Sequence, residues 1–144
     1  MENLKKILVT GGLGFIGGHL VDRLIKETDS KIYNLDYLGY ASNPYRFDNS
    51  TELNDRYFLI KLDLNNETSL DKAIIDCDPD LIVHLAAESH VDRSIESPRP
   101  FIESNIVGTF NILESALKHF EKLPKKRKKF FRFYHISTDE VFGS

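Results

Sequence analysis

The sequence has one cysteine, Cys77. A lone thiol closes no internal disulfide and, without companion ligands, builds no metal cluster. Cys77 therefore reads as an inert thiol suited to a reducing cytosol. No apolar run approaches the roughly 18 residues of a membrane span, and the N-terminus has no signal-peptide core. A formal net charge of −3 favours neither nucleic acid nor a membrane surface as partner. The G-x-S-x-G nucleophile motif and a P-loop lysine are missing, the histidines lack metal-site spacing, and there is no internal repeat. What survives these exclusions is a soluble, cytoplasmic, metal-free domain. A chain of 144 residues makes one such domain and buries roughly two-thirds of its unfolded surface.

Glycine is concentrated where it matters. Thr10-Gly-Gly-Leu-Gly-Phe-Ile-Gly17 follows the apolar run Ile7-Leu8-Val9 and opens a segment of helical spacing. Gly12, Gly14 and Gly17 fit G-x-G-x-x-G, and Gly11, Gly14 and Gly17 fit G-x-x-G-x-x-G. Residues without Cβ let the chain turn tightly and let its backbone approach a pyrophosphate. The helix N-terminus beyond offers free N–H groups and partial positive charge to that anion. Asp36 stands about 20 residues on, the place of a carboxylate that binds a ribose hydroxyl.

The rest of the chain alternates strand and helix. Strands are expected at Lys5–Thr10, Lys31–Leu35, Tyr57–Leu62, Leu81–Leu85 and Phe130–Ile136, each short and apolar. Helices are expected from Phe15 to about Glu27, from Ser69 to Asp76 with Thr68 or Ser69 as N-cap, and from Pro100 to about Phe120. In the last helix Ile102, Ile106, Phe110, Leu113, Leu117 and Phe120 form one apolar face. Gly108 inside it implies close packing or close ligand approach. Tyr37–Asp55 reads as a long loop and Ala86–Ser94 as a polar one. Lys125-Lys-Arg-Lys-Lys129 reads as a solvated connection. This alternation predicts an α/β fold, a doubly wound parallel sheet of the Rossmann type reaching its fifth strand.

Such a sheet gathers the glycine loop, Asp36, Asp63, Ala86–Ser94 and Ser137–Gly143 along one edge. Asp63 reads as a helix-initiating turn residue or a ligand, and the arrangement favours a ligand. Asp139 and Glu140 are adjacent carboxylates that unlike surroundings can split into proton donor and base. Thr138 either hydrogen-bonds a substrate hydroxyl or closes a turn.

Four stretches together resemble the dTDP-glucose 4,6-dehydratases of the extended short-chain dehydrogenase/reductase superfamily: the glycine loop, Leu85-Ala-Ala-Glu-Ser-His-Val-Asp-Arg-Ser94, Asn105-Ile-Val-Gly-Thr109 and His135-Ile-Ser-Thr-Asp-Glu-Val-Phe-Gly143. Related epimerases and decarboxylases carry other residues at positions 139 and 140. The resemblance implies NAD as cofactor and a dTDP-glucose substrate. It puts Gly11, Gly14, Phe15, Ile16 and Gly17 at the pyrophosphate, with Asp36, Tyr37, Leu38 and Gly39 around the adenosine ribose. Asp63 and Leu64 would border the adenine, Leu85, Ala86, Ala87, Glu88 and Ser89 would line the inner half of the cofactor, and Ser104 would contact the cofactor. Ser89 and Thr138 would contact the sugar, Glu140 would take the C5 proton and Asp139 would protonate the leaving C6 hydroxyl. Residues 1–144 would be the NAD-binding domain, with the substrate-binding part and the family's Tyr-x-x-x-Lys pair beyond Ser144 and missing from this chain. A chain so placed is expected to be incomplete for catalysis. By analogy the 100–120 helix would serve a homodimer.

Overall fold

The computed structural model describes residues 4–47 and 54–143, except the side chains of Asn54, Asp139 and Glu140. Five parallel strands run in the order β3-β2-β1-β4-β5: β1 Lys6–Thr10, β2 Lys31–Asp36, β3 Tyr57–Lys61, β4 Leu81–His84 and β5 Arg132–His135. This is the nucleotide-binding order, in which the chain reverses direction across the sheet after β3. Helices α1 Phe15–Glu27, α2 Glu67–Cys77, α3 Val91–Glu96, α4 Arg99–Ile102, α5 Thr109–Lys122 and α6 Lys125–Lys128 complete it.

Period-two alternation on the strands divides the apolar residues between two cores. Ile7, Val9, Ile32 and Val83 meet Leu13, Val21, Ile25 and Phe47 on the α1 face. Leu8, Leu35 and Ile82 meet Leu70, Ile74, Ile112 and Ala116 of α2 and α5 on the other. Cys77 belongs to the second core, and burial above all pushes its thiol up to about 12. It is therefore not a thiolate at neutral pH.

Several boundaries differ from expectation. α2 starts at Glu67, because Asn66 rather than Thr68 or Ser69 is the N-cap, its side chain accepting from Ser69 N at 3.0 Å. The 86–94 stretch is not wholly loop, since α3 begins at Val91. Phe130 and Phe131 precede β5, because both their N–H groups donate to Arg127 O at 2.9 Å in the turn after α6. Between α4 and α5 the backbone stays right-handed helical but widens to a π-helical segment, Glu103–Gly108. Gly108 marks close packing, because a Cβ there would lie 3.2 Å from Leu64 Cβ.

The apolar face of this long helix points outward. Ile102, Ile106, Phe110, Leu113 and Leu117 are exposed, and the helix docks through Gly108, Asn111, Ile112, Ser115, Ala116 and His119. The polar members of that inner face are each satisfied: Asn111 donates to Leu64 O, Ser115 to Asp71 and His119 bonds Pro79 O. The Ser115 hydrogen bond, with Lys118, holds the Asp71 carboxyl below the usual carboxylate value.

The lysine run is not merely solvated either. Arg127 reaches both Asp78 and Asp80 at 2.8 Å, and the Asp80 carboxylate also accepts from the N–H groups of Lys5 and Lys6. Burial alone would raise the Asp78 carboxyl, but Arg127 and Lys6 outweigh it and lower it. The basic connection is thereby pinned to the N-terminal edge of the sheet, opposite the glycine turn. No helix among the described residues is long and apolar enough to cross a membrane.

Candidate functional site

The C-terminal ends of the strands enclose a cleft of about 1270 Å³. The turn after β1 forms its floor. Gly11 has φ +72°, and a Cβ there would come within 2.8 Å of the Ala86 backbone, so the turn is locked against the loop after β4. A Cβ on Gly17 would collide with Gly11 O. Gly12 faces away from the cleft, against the buried Asn34 side chain, and is glycine for that reason. Gly14 differs from all three. Its Cβ would meet protein only at Gly11 O, 3.3 Å away, and the residue lines the cleft. Gly14 is also the N-cap of α1, with no side-chain cap and no acidic residue in the first turn. An uncapped helix N-terminus behind a Cβ-free turn is a cradle for a phosphate group. Of the two overlapping fingerprints, the 11-14-17 spacing faces the cleft.

Asp36 ends β2 and is 5% exposed. Its Oδ2 accepts from Leu13 N at 3.0 Å, and its Oδ1 accepts from Leu38 N at 2.8 Å and Ser42 Oγ at 2.7 Å. Three of its about four acceptor positions thus join the glycine turn to the loop after β2, leaving about one for a ligand hydroxyl. The same bonds hold Leu38 at φ +62°, a left-handed conformation that leucine rarely adopts. Asp36→Asn replaces one acceptor oxygen by a donor and orphans an N–H or hydroxyl in this network. Its expected effect is a loss of about 1–3 kcal/mol of stability, read from denaturant unfolding. An unchanged midpoint would refute the organising role.

Past β4, the Asn105 side chain donates to Glu88 O and accepts from Glu88 N, both at 2.8 Å. This two-way bond fixes the 86–89 loop against the π-helical segment, where Glu103, Ser104 and Asn105 face the cleft. Beneath lies a buried relay: Thr10 Oγ1 is 2.7 Å from His84 Nδ1, and His84 Nε2 is 3.0 Å from Thr109 Oγ1. His84 stacks on His135 at 5.2 Å. Burial first, then the charge of His135, lowers the His84 pKa to about 4, so the ring is neutral. Thr138 closes the cleft on the β5 side, and the turn Asp139–Phe142 starts directly after it.

A family model described as GDP-mannose 4,6 dehydratase matches residues 8–144. The chain belongs to this family. It is 47% identical over 142 residues to a dTDP-glucose 4,6-dehydratase of Neisseria meningitidis serogroup B, covering 97% of this chain and 39% of that protein. An Escherichia coli dTDP-glucose 4,6-dehydratase is 49% identical over 140 residues, 96% of this chain and 38% of the relative. Among solved structures, DesIV, a dTDP-glucose 4,6-dehydratase from Streptomyces venezuelae with NAD and TYD bound, superposes with a TM-score of 0.80 at 36% identity. That match covers 96% of this chain and 41% of DesIV. The chain therefore spans about two-fifths of the length of these relatives.

Nearly all residues singled out from the family resemblance line this one cleft: Gly11, Gly14, Phe15, Ile16, Gly17, Asp36, Tyr37, Gly39, Asp63, Leu64, Leu85–Ser89, Ser104 and Thr138. Leu38 does not, because its side chain packs against the α1-side core. Asp63 is a turn residue at the edge of the cleft. It borders the cleft, while its Oδ1 accepts from Asn65 N and Nδ2 in the turn before α2. The side chains of Asp139 and Glu140 lie outside the described residues.

One expectation about the family's catalytic pair fails to the letter. The spacing Tyr-x-x-x-Lys does occur, at Tyr57–Lys61. Those residues form strand β3, where four steps span about 13 Å rather than one helical turn, and neither lines the cleft. Among the described residues, no such pair lines the cleft. Four residues that the structure brings into or beneath the site, Ser42, Asn105, His84 and Thr109, have no role predictable from the sequence pattern. Asn105 and Thr109 lie in a recognised motif, but nothing local marked Ser42 or the buried His84.

Proposed function

We propose that this chain is the NAD-binding part of a dTDP-glucose 4,6-dehydratase, acting in the cytoplasm on a nucleotide sugar. The observation that carries the reading is the single cleft in which the open Gly14 turn and the Ala86–Ser89, Ser104 and Thr138 surfaces converge. The relatives' names and the NAD of DesIV support the same assignment. The residues fit the cofactor: a Cβ-free turn and uncapped helix for the pyrophosphate, and a partly committed Asp36 for one ribose hydroxyl.

When bound, NAD supplies the hydride acceptor and donor for the sugar carbons C4 and C6. The C4 hydroxyl proton falls to a base of the C-terminal portion that the relatives possess, and the chain's own residues would carry the elimination. Ser89 and Thr138 orient the sugar, Glu140 removes the C5 proton, and Asp139 protonates the C6 hydroxyl as water departs. The neutral His84 relay holds Thr109 and the β4 loop in place beneath. The exposed stripe from Ile102 to Leu117 is proposed as the homodimer helix.

The test uses the chain mixed with the C-terminal portion that its relatives possess, NAD⁺ and dTDP-glucose. The 4-keto-6-deoxy sugar is the expected product. Glu140→Gln is expected to lower its rate about 10²–10⁴-fold while leaving NADH binding unchanged in a fluorescence titration. NADH binding with no product from a well-folded mixture would replace this reading with a non-catalytic nucleotide-binding module.

A further inference from the structure

The described part of the loop after β2, residues 37–47, is held at both ends. Asp36 holds Leu38 and Ser42, and Asn43 N donates to Leu13 O at 2.9 Å. Arg46 then pairs with Asp22 of α1 at 2.6 Å, lying across Gly18, where a Cβ would come within 2.6 Å of its Nε. Tyr40 stands between these anchors, lines the cleft and is 57% exposed.

Across from it, α3 follows β4 and buries no residue. Among the described residues, no hydrogen bond or ion pair links an α3 side chain to another element. Its tie is Arg93, whose guanidinium carbon sits 3.9 Å from the centre of the Tyr40 ring. A flat, delocalised cation at that distance stacks on the ring face as a cation–π pair.

The sheet order decides what this pair spans. β1 lies between β2 and β4, so the loop carrying Tyr40 and the helix α3 carrying Arg93 flank the glycine turn on either side. We infer that Tyr40 and Arg93 form a strap over the glycine turn that retains the dinucleotide. This inference rests on the NAD reading above and deepens it. The strap joins protein to protein and uses no ligand atom, so it must part for the cofactor to pass in either direction. It therefore slows entry and exit together and leaves affinity nearly constant. A residue that merely shaped the site would shift affinity instead.

The experiment is stopped-flow NADH binding to the chain, with release measured by a chase of excess NAD⁺. Tyr40→Ala and Arg93→Ala are expected to accelerate both association and release about fivefold, with the dissociation constant within threefold of the original. Tyr40→Phe keeps the ring and is expected to stay within twofold throughout. Circular dichroism checks that each variant is folded. Release rates within twofold for both alanine variants would overturn the strap while leaving the NAD reading intact. Acceleration by Arg93→Ala alone would also overturn it, since the tyrosine would then have no part. Failure of the unaltered chain to bind NADH would bring down the NAD reading and the strap with it.

Discussion

Gly17→Ala is expected to abolish measurable NADH binding, at least about 100-fold, and to destabilise the fold by about 1–3 kcal/mol. In an ordinary helix the same change would be worth up to about 1 kcal/mol of added stability. The sign reverses here because the new Cβ would collide with Gly11 O and crowd Gly11 C and Gly12 Cα, each at 2.9 Å. Backbone on both sides cannot swing aside as a flexible side chain would. The turn must open, and Gly11, at φ +72° against the Ala86 backbone, has no slack to absorb the shift. Gly14→Ala provides the contrast. Its Cβ meets only Gly11 O at 3.3 Å, so the protein is expected to keep its unfolding midpoint while the methyl group intrudes on the cleft and weakens NADH. Denaturant unfolding and fluorescence titration of the two variants separate the glycine that builds the turn from the glycine that faces the ligand. Equal behaviour of the pair would refute this division.

The strands and the glycine turn were legible because their signals are local. β1 and β4 each carry three consecutive apolar residues, Ile7–Val9 and Leu81–Val83, and a turn that needs glycine at fixed spacing announces itself in any single sequence. The docking face of α5 was not legible. Its most regular apolar stripe is the exposed one, while the buried face carries Asn111, Ser115 and His119. Those three can be inside only because Leu64 O, Asp71 and Pro79 O meet them, and those partners lie 40 or more residues away. Long-range satisfaction of polar groups leaves no trace in periodicity. Arg127 was hidden the same way, as one cation among lysines whose carboxylate partners sit at the start of β4. Within the site, Asp36 could be placed by spacing, but its commitment to Leu13, Leu38 and Ser42 depends on how the glycine turn and the loop after β2 fold back on it.

His84 governs a pH dependence that none of these sequence signals suggested. Ala86 N donates to Thr10 Oγ1 at 3.3 Å, so the Thr10 hydroxyl is free to give its proton to His84 Nδ1. The ring proton then sits on Nε2 and goes to Thr109. A charged ring would donate from both nitrogens and strand the Thr10 hydroxyl proton, next to the stacked His135 and away from water. Burial accordingly takes the pKa from 6.5 to about 4. The folded-state value is the lower one, so between pH 6.5 and 4 the unfolded chain binds a proton that the fold refuses. Stability is full above pH 6.5, falls through this window and levels off below pH 4, for a total loss of about 3 kcal/mol. Asp71 and Asp78 do not interfere, because their lowered carboxyls cost stability only as pH falls through 3.8 and below. Chemical denaturation at pH 7.5, 6, 5 and 4.2 is expected to show the decline. His84→Gln, which can accept from Thr10 or donate to Thr109 without titrating, is expected to start lower at pH 7.5 and stay flat to pH 4.2. Parallel curves for the two proteins would mean that the acid sensitivity lies elsewhere, and that the buried ring carries its charge without penalty.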